Sequence, residues 1–522
     1  MPQSVAAWKA ISDLRRRDGA AYRRLSESPL WAAQRRFYAR AGIEAWRTAI
    51  VPHHVTNNVA LAAAYARIVL GFLRDTPQGG PLYVIELGAG SGRFAFLFLR
   101  ALETMARCVR PADIPVRYVM TDVAEATIGF WRTHEALVPF VRAGRLDFAR
   151  FDANRDGVLH LERERRTIAP GTPAARIVVI ANYVFGALGQ DAFAVRAGRI
   201  HEYLVAATPA HRRNTADVSL SWRVGARTTA PYAEGDFNAI LQDYAGPGIA
   251  GRVLFPVGAL RCLDRLASLA RDGLLVLAAD RGTARASDAV TRAVDLEAAR
   301  HGALSFPVSF HALRAWLTRQ GGVPLRPPRA HRHVHVAAFL LGPRGRAWRA
   351  TRRAYAKAVA GGGPDALYAA RRDLATRVRP LSPRALLSLM RSCGPDPRVV
   401  AECVRPLWPH VADADAPLRR DIREAILAAW PNYYHLGEPY DLPFTFGLVL
   451  YAIRAYDEAR ALFAESVRLY GDDAAAHWNL GLCDVALGKP RAAHASFRHA
   501  RRLAPDLNPA GPVTVKAGRA PG

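Results

Sequence analysis

The sequence predicts an α/β fold of Rossmann-like type, a doubly wound and mostly parallel seven-stranded sheet, followed by an all-α domain of helical repeats. Three observations carry this. Between Pro81 and Gly342 short apolar runs alternate with longer stretches of helical spacing. The first of those runs passes through Glu86-Leu87-Gly88-Ala89-Gly90-Ser91-Gly92 into an apolar helix. After Gly342 the strands stop, and near the C-terminus residues recur at an interval of 34.

Residues 1–80 read as a helical segment packed on the sheet domain. Stretches 31–49 and 59–73 carry apolar residues at helical spacing, and the polar turn Val51-Pro52-His53-His54-Val55-Thr56-Asn57-Asn58 separates them. The sheet domain, 81–342, is built on the runs 82–87, 116–120, 146–151, 177–181, 274–278 and 335–341. Most are rich in Val, Ile, Leu or Phe, as strands buried on both faces are. Residues 201–205 form either a further strand or an inserted hairpin. Residues 206–254 fit no strand–helix alternation and read as an insertion, either a cap on the site or a structural excursion.

A linker is expected at 343–365, where Gly361-Gly362-Gly363-Pro364 interrupts the pattern, and helical, degenerate repeats at 366–440. In 441–507, Gly447, Ala459 and Phe463 return as Gly481, Ala493 and Phe497, and the second copy continues through Leu480, Ala500 and Pro505. The period and the small and aromatic positions resemble two tetratricopeptide units, which implies a protein-docking surface; the plainer reading is a helical extension that stabilises its neighbour. Residues 508–522 are expected to form a disordered tail.

At 522 residues, 50% of them hydrophobic, the chain has material for two to four domains. The formal charge of +27 invites nucleic acid as a partner. The excess is almost all arginine, since Lys9, Lys357, Lys489 and Lys516 are the lysines, and it is spread without an aromatic-interleaved run. That pattern speaks against nucleic acid and for solvated arginines that meet acidic protein partners. Cys108, Cys262, Cys393, Cys403 and Cys483 show no C-x-x-C spacing, so neither a zinc site nor a disulfide framework is indicated. The N-terminal stretch has no apolar core of signal-peptide length and no window reaches the length of a membrane span, so the expected location is cytoplasmic. The oligomeric state is not legible.

The chemistry centres on the first turn. Gly88, Gly90 and Gly92 let the backbone turn tightly and meet a ligand with no Cβ in the way, and the next helix offers unpaired N–H groups. A dinucleotide fingerprint places its third glycine one residue later, where this chain has Arg93, so the spacing favours S-adenosylmethionine over NAD. Glu86, at the strand end, is placed to meet the ammonium of the methionine moiety, and Asp122, at the end of the second strand, to accept both ribose hydroxyls. Asp152, beside Ala153, either accepts from the adenine amine or caps its loop. Asn182 and Tyr183, at the end of the fourth strand, belong near the sulfonium and the incoming nucleophile. Methyl transfer needs alignment and exclusion of water, with a base only for a protonated nucleophile. No metal is demanded.

These residues resemble the MidA-like class I methyltransferases over roughly 37–342. The glycine turn is similar to that family's E-h-G-P-G-x-G, and Ala181-Asn182-Tyr183-Val184-Phe185-Gly186-Ala187-Leu188 to its A-N-E-x-x-D-A-L-P. Ala279-Asp280-Arg281-Gly282 resembles its D-Y-G, Ser305-Phe306-Pro307-Val308-Ser309-Phe310 its T-A-H-V-D-F, and Thr56-Asn57-Asn58 its T-S/A-P-E turn. The resemblance implies an S-adenosylmethionine-dependent methyltransferase; the family's mitochondrial members methylate an arginine on a respiratory complex I subunit. Where the family has carboxylates or histidine in the acceptor pocket, this chain has Tyr183, Gly186, Pro307 and Ser309. Carboxylates hold a guanidinium most simply, so the cofactor half is kept and the arginine half is not. Asp280, Asp191 and His311 remain as polar candidates near the crevice, with His311 as a base or a helix-start residue. Two functions follow: a methyltransferase whose protein or carrier-borne acceptor is recruited by the repeats, or a catalytically weak scaffold that acts through them.

Overall fold

The computed structural model describes residues 21–48, 50–51, 54–76, 80–107, 116–209, 218–291, 304–327, 329, 331–360, 363–376, 381–507, 509 and 511–514. The chain forms two compact units, Met1–Arg372 and Asp373–Gly522. Among the described residues no helix is long and apolar enough to cross a membrane.

The first unit opens with α1 (Leu30–Ala41) and α2 (Val59–Asp75), the latter capped where the Asn58 side chain accepts from Leu61 N–H at 2.9 Å. There follow β1 (Leu82–Glu86), α3 (Arg93–Ala106), β2 (Val116–Asp122), α4 (Glu125–Thr133), β3 (Leu146–Arg150) and β4 (Ala174–Asn182). Next come β5 (Asp191–Arg196), β6 (Arg199–Pro209), β7 (Val218–Arg227), α5 (Gly235–Gln242) and β8 (Gly251–Phe255). The unit continues with α6 (Val257–Ala267), β9 (Ala270–Asp280), α7 (Phe310–Arg319), β10 (Val323–Leu325), β11 (His335–Leu341) and α8 (Arg349–Val359).

The main sheet has seven strands in the order β10-β11-β9-β4-β1-β2-β3. Its pairs are parallel except those of β11, which runs against both neighbours. The chain winds from β1 to β3 in one direction and from β4 to β9 in the other, so β1 and β4 flank the point of reversal where such sheets open a ligand crevice. One face of the sheet packs on α6 and α7 in a core that includes Ile85, Val179, Leu263 and Trp316.

Three boundaries differ from the sequence reading. The insertion begins at Asp191 rather than 206: β5 to β8 form a separate antiparallel sheet in the order β8-β5-β6-β7, and residues 201–205 belong to β6 there. The missed signal is the hairpin turn Ala197-Gly198, both at positive φ (48° and 70°), flanked by short alternating runs. The expected linker 343–365 contains α8, which packs on α2. Asp75 accepts from the N–H groups of Ala350 (3.1 Å) and Thr351 (2.8 Å), and the Phe72 and Trp348 rings stack at 5.5 Å. β10 also escaped notice, because a three-residue run containing Pro324 is tolerable only at a sheet edge, where it sits. Of the expected helical preface, residues 1–20 lie outside the described residues.

Between the two units' bounds runs α9 (Gly363–Thr376), and the second unit contains α10 (Pro383–Ser392), α11 (Pro397–Leu407), α12 (Ala416–Ala429), α13 (Leu442–Ala452), α14 (Tyr456–Tyr470), α15 (Ala474–Ala486) and α16 (Pro490–Leu503). The prolines that seem to break the sequence pattern start helices instead. Ser382, Asp396, Asp415 and Asp441 each cap a helix with a proline in its first turn, where the missing N–H costs nothing. The repeat has a packing cause: a Cβ on Gly447 would lie 2.8 Å from the Phe463 ring, and one on Gly481 2.6 Å from Phe497. Part of the expected tail is ordered, because Asn479 and the backbone of Val513 exchange two hydrogen bonds of 2.9 Å. Residues 515–522 lie outside the described residues.

Candidate cofactor site

A cavity of about 200 Å³ lies at the carboxyl ends of β1, β2 and β4. Its floor is the glycine turn. Gly88, Gly90 and Gly92 have φ of 57°, 55° and 80°, the left-handed region where a side chain is strained. The turn is fixed from three sides: Leu87 N–H donates to Ile180 O (2.9 Å), Ala89 N–H to Thr121 O (2.9 Å) and Trp131 Nε1–H to Gly90 O (2.9 Å). Gly90 could not carry a Cβ in any case, since the Trp46 ring lies 2.8 Å from where it would stand.

Two buried carboxyl groups flank the turn. Glu86 is 4% exposed and accepts from Tyr118 O–H at 2.9 Å. Burial pushes its pKa up to about 8; the Tyr118 hydrogen bond pulls it back and the charge of Asp122 adds to the rise. Asp122 accepts from Ala124 N–H at 3.0 Å. Burial raises its pKa to about 6, opposed by the backbone N–H groups of Ala124, Val123 and Gly90. Asp152, Ala153 and Asn154 line the same cavity beside Phe151. Asp152 accepts from Asn154 N–H at 2.9 Å, so it also shapes its own loop.

Asn182 and Tyr183 reach the cavity from the end of β4. Asn182 Oδ1 accepts from Tyr65 O–H at 3.1 Å, whereas its buried Nδ2 has no partner. Tyr183 holds φ of 55°, unusual for an aromatic residue, and its N–H donates to Ala279 O at 2.8 Å. Burial drives its phenol well above the ordinary tyrosine range, so it is a neutral hydrogen-bond donor across the working pH range.

The other polar candidates are engaged elsewhere. Asp280 is fully buried and accepts from Gly186 N–H (3.0 Å) and Arg281 N–H (2.8 Å); it pins the 185–187 turn and does not line the cavity. Burial raises its pKa to about 7. His311 sits on α7, where its Nδ1 meets the Tyr244 hydroxyl at 3.1 Å, and that hydroxyl meets Ser309 Oγ at 2.8 Å. Neither His311 nor Ser309 lines the cavity. Asp191 is closed off by Ser26 N–H (3.0 Å) and Tyr232 O–H (2.9 Å). Gly186 has no room for a side chain, since a Cβ would lie 2.5 Å from Phe306 O. Phe306 O and the Ser305 hydroxyl occupy that space.

The sequence reading missed the wall opposite the strands. Trp31, Gln34, Arg35 and Tyr38, on one face of α1, line the cavity together with Trp46 and Asn57. Tyr38 and Trp46 stack at 5.8 Å. The signal available was Gln34, an amide buried beside Trp31 and Phe37 on the same helix. Gln34 Oε1 and Asn57 Oδ1 are buried without partners, like Asn182 Nδ2. Three unmatched polar atoms, a turn with glycine at three of its five positions and two buried carboxyl groups fit a ligand that is aromatic at one end and carries an ammonium and hydroxyl groups.

No family model matches the chain, and no curated protein matches it. Among solved structures it is similar to a superfamily protein from Burkholderia thailandensis bound to S-adenosyl-homocysteine, at 17% identity over 62% of this chain and 80% of that one, with a TM-score of 0.41. It is also similar to an O-methyltransferase family protein from Burkholderia thailandensis, at 11% identity over 66% of this chain and 69% of that one, with a TM-score of 0.32. A third is the CurJ carbon methyltransferase, at 13% identity over 54% of each chain and a TM-score of 0.26. By its own strand order and reversal point, the first unit is a doubly wound α/β fold with its crevice between the ends of β1 and β4.

Proposed function

We propose that the first unit binds S-adenosylmethionine in this cavity and transfers its methyl group to a protein or carrier-borne acceptor that the tetratricopeptide-like helices of the second unit recruit. The observation that carries the reading is the set of unmatched buried polar atoms, Gln34 Oε1, Asn57 Oδ1 and Asn182 Nδ2, around a left-handed glycine turn flanked by Glu86 and Asp122. Bound there, the cofactor supplies an electrophilic methyl on a sulfonium. Glu86 as a carboxylate pairs with the ammonium, Asp122 takes the ribose hydroxyls, and Asp152 with Ala153 borders the adenine. Asn182 and Tyr183 orient the acceptor as hydrogen-bonding groups, while Trp31, Tyr38, Trp46 and Phe94 exclude water. With Asp280 and His311 engaged elsewhere, the acceptor is one that needs no strong base.

A second reading, a scaffold that binds the cofactor weakly or not at all, is favoured by one observation: the Asp280 carboxyl is engaged by the N–H groups of Gly186 and Arg281 and does not line the cavity. Calorimetric titration separates the two. The enzyme reading expects micromolar binding of S-adenosylmethionine or S-adenosylhomocysteine, abolished in Gly90→Arg. Folded protein that gives no heat with either ligand would sink it.

A further inference from the structure

A group of side chains in the second unit, far in sequence from the cavity residues, has metal-binding chemistry. Asp472 stands in the loop before α15, His477 in the first turn of α15, and His499 near the end of α16. His477 Nε2 lies 3.0 Å from Asp472 Oδ1, and His499 Nε2 lies 3.4 Å from Asp472 Oδ2. The two imidazole centroids are 4.1 Å apart, and one ligand atom from each of the three residues lies within 4.8 Å of the others.

Two imidazole nitrogens and a carboxylate oxygen form a mixed donor set that suits zinc and neighbouring divalent transition metals and leaves a fourth position for water. Ligands at bond lengths of about 2.0–2.1 Å in a tetrahedron stand about 3.3–3.4 Å apart; His499 Nε2 stands at that spacing from Asp472 Oδ2 (3.4 Å), while His477 Nε2, 3.0 Å from Oδ1, is at hydrogen-bonding distance and draws back by a few tenths of an ångström to reach it. Magnesium and calcium prefer oxygen cages, which one carboxylate does not provide. The Asp472 side chain is 56% exposed, so the open side of the set faces solvent and admits both ion and water.

The repeat itself does not explain these residues. Its packing pairs recur, Gly447 with Phe463 and Gly481 with Phe497. The positions 34 residues before Asp472, His477 and His499 are Glu438, Pro443 and Glu465, so the histidines belong to the second copy alone. Arg468 recurs as Arg502, but its partner changes: Arg468 bonds Glu465 at 2.7 Å, whereas Arg502 Nη2 donates to His499 Nδ1 at 2.7 Å.

We propose that Asp472, His477 and His499 form a zinc-class site that ties the entry loop of α15 to the two helices of the second copy. Arg502 has no acceptor atom, so its bond to His499 Nδ1 leaves the His499 proton on Nε2, facing Asp472. On loading, the Nε2 protons of His477 and His499 pass through solvent to Nδ1, both Nε2 atoms turn their lone pairs to the metal, and the exposed Arg502 releases to solvent.

The test uses the full chain without a histidine tag. After equilibration with zinc chloride and dialysis, metal content and chelator-competition titration are measured for the parent, the double variant His477→Ala/His499→Ala, Asp472→Ala and Arg502→Ala, with circular dichroism confirming folding. The parent is expected to hold one zinc that the double variant lacks. Loss of the carboxylate should weaken it by at least about tenfold, the scale on which even indirect partners of a ligand act. Arg502→Ala should bind at least as tightly as the parent, and magnesium should not compete. Equal zinc content in the parent and Asp472→Ala, or no retained zinc in the parent, overturns the site; Asp472 is exposed enough that this comparison holds even where the double variant fails to fold.

Discussion

Glu86 is a carboxyl group that holds its proton near neutral pH, and this couples the fold to the ligand. A carboxyl raised by burial to about 8 binds its proton more firmly folded than unfolded. Its contribution to stability is complete below its ordinary pKa and is lost as pH rises through about 8. The melting temperature should therefore fall between pH 5 and pH 8 by more in the parent than in Glu86→Gln, whose amide oxygen still accepts from Tyr118. Ligand binding has the opposite sign, because only the carboxylate attracts an ammonium. S-Adenosylhomocysteine affinity measured from pH 7 to pH 8.5, above the range in which Asp122 titrates, should increase in the parent and change less in Glu86→Gln. Replacement of Asp122 by Asn removes a charged acceptor worth about 1.5–3 kcal/mol, and calorimetry should find affinity down by roughly ten- to a hundredfold. The places of Glu86 and Asp122 at the cavity were legible because strand ends and a glycine turn are local features. Asp280 occupies an equivalent strand end, but whether its carboxylate faces a crevice or two backbone N–H groups depends on where Gly186 and Phe306 arrive, and no local pattern encodes that.

The helices were legible where packing left a residue signature. Gly447 and Gly481 betray the repeat because a ring from the next helix takes the place of a side chain. Gly481→Ala puts a methyl 2.6 Å from the Phe497 ring and should destabilise the second unit by about 1–3 kcal/mol, read from its denaturation midpoint. Where the signature lay in pairing between remote segments, the reading failed. α8 appeared to be part of a linker because its partner, α2, lies nearly three hundred residues earlier, as Asp75 and Thr351 show with 276 positions between them. The sequence pattern leaves residues 201–205 open between a further strand and an inserted hairpin, and begins the insertion inside β6, because β5 to β8 pair in a sheet of their own.

Two compact units in one chain give the molecule two separable responses. A ligand that binds only the folded first unit, at a hundred times its dissociation constant, adds about 2.7 kcal/mol to that unit. Differential scanning calorimetry with S-adenosylhomocysteine should therefore raise the transition of Met1–Arg372 and leave that of Asp373–Gly522 in place, the reverse of what zinc should do. The cavity imposes a constraint on the chain's history as well as on its chemistry. Trp31, Gln34, Tyr38 and Trp46 furnish one side of it, and all precede the first strand of the main sheet. Any recombination or excision event that carried the α/β segment from β1 onward into another protein would deliver the glycines and carboxyl groups as an open shelf. The smallest module that keeps both walls of the pocket includes the helices before β1.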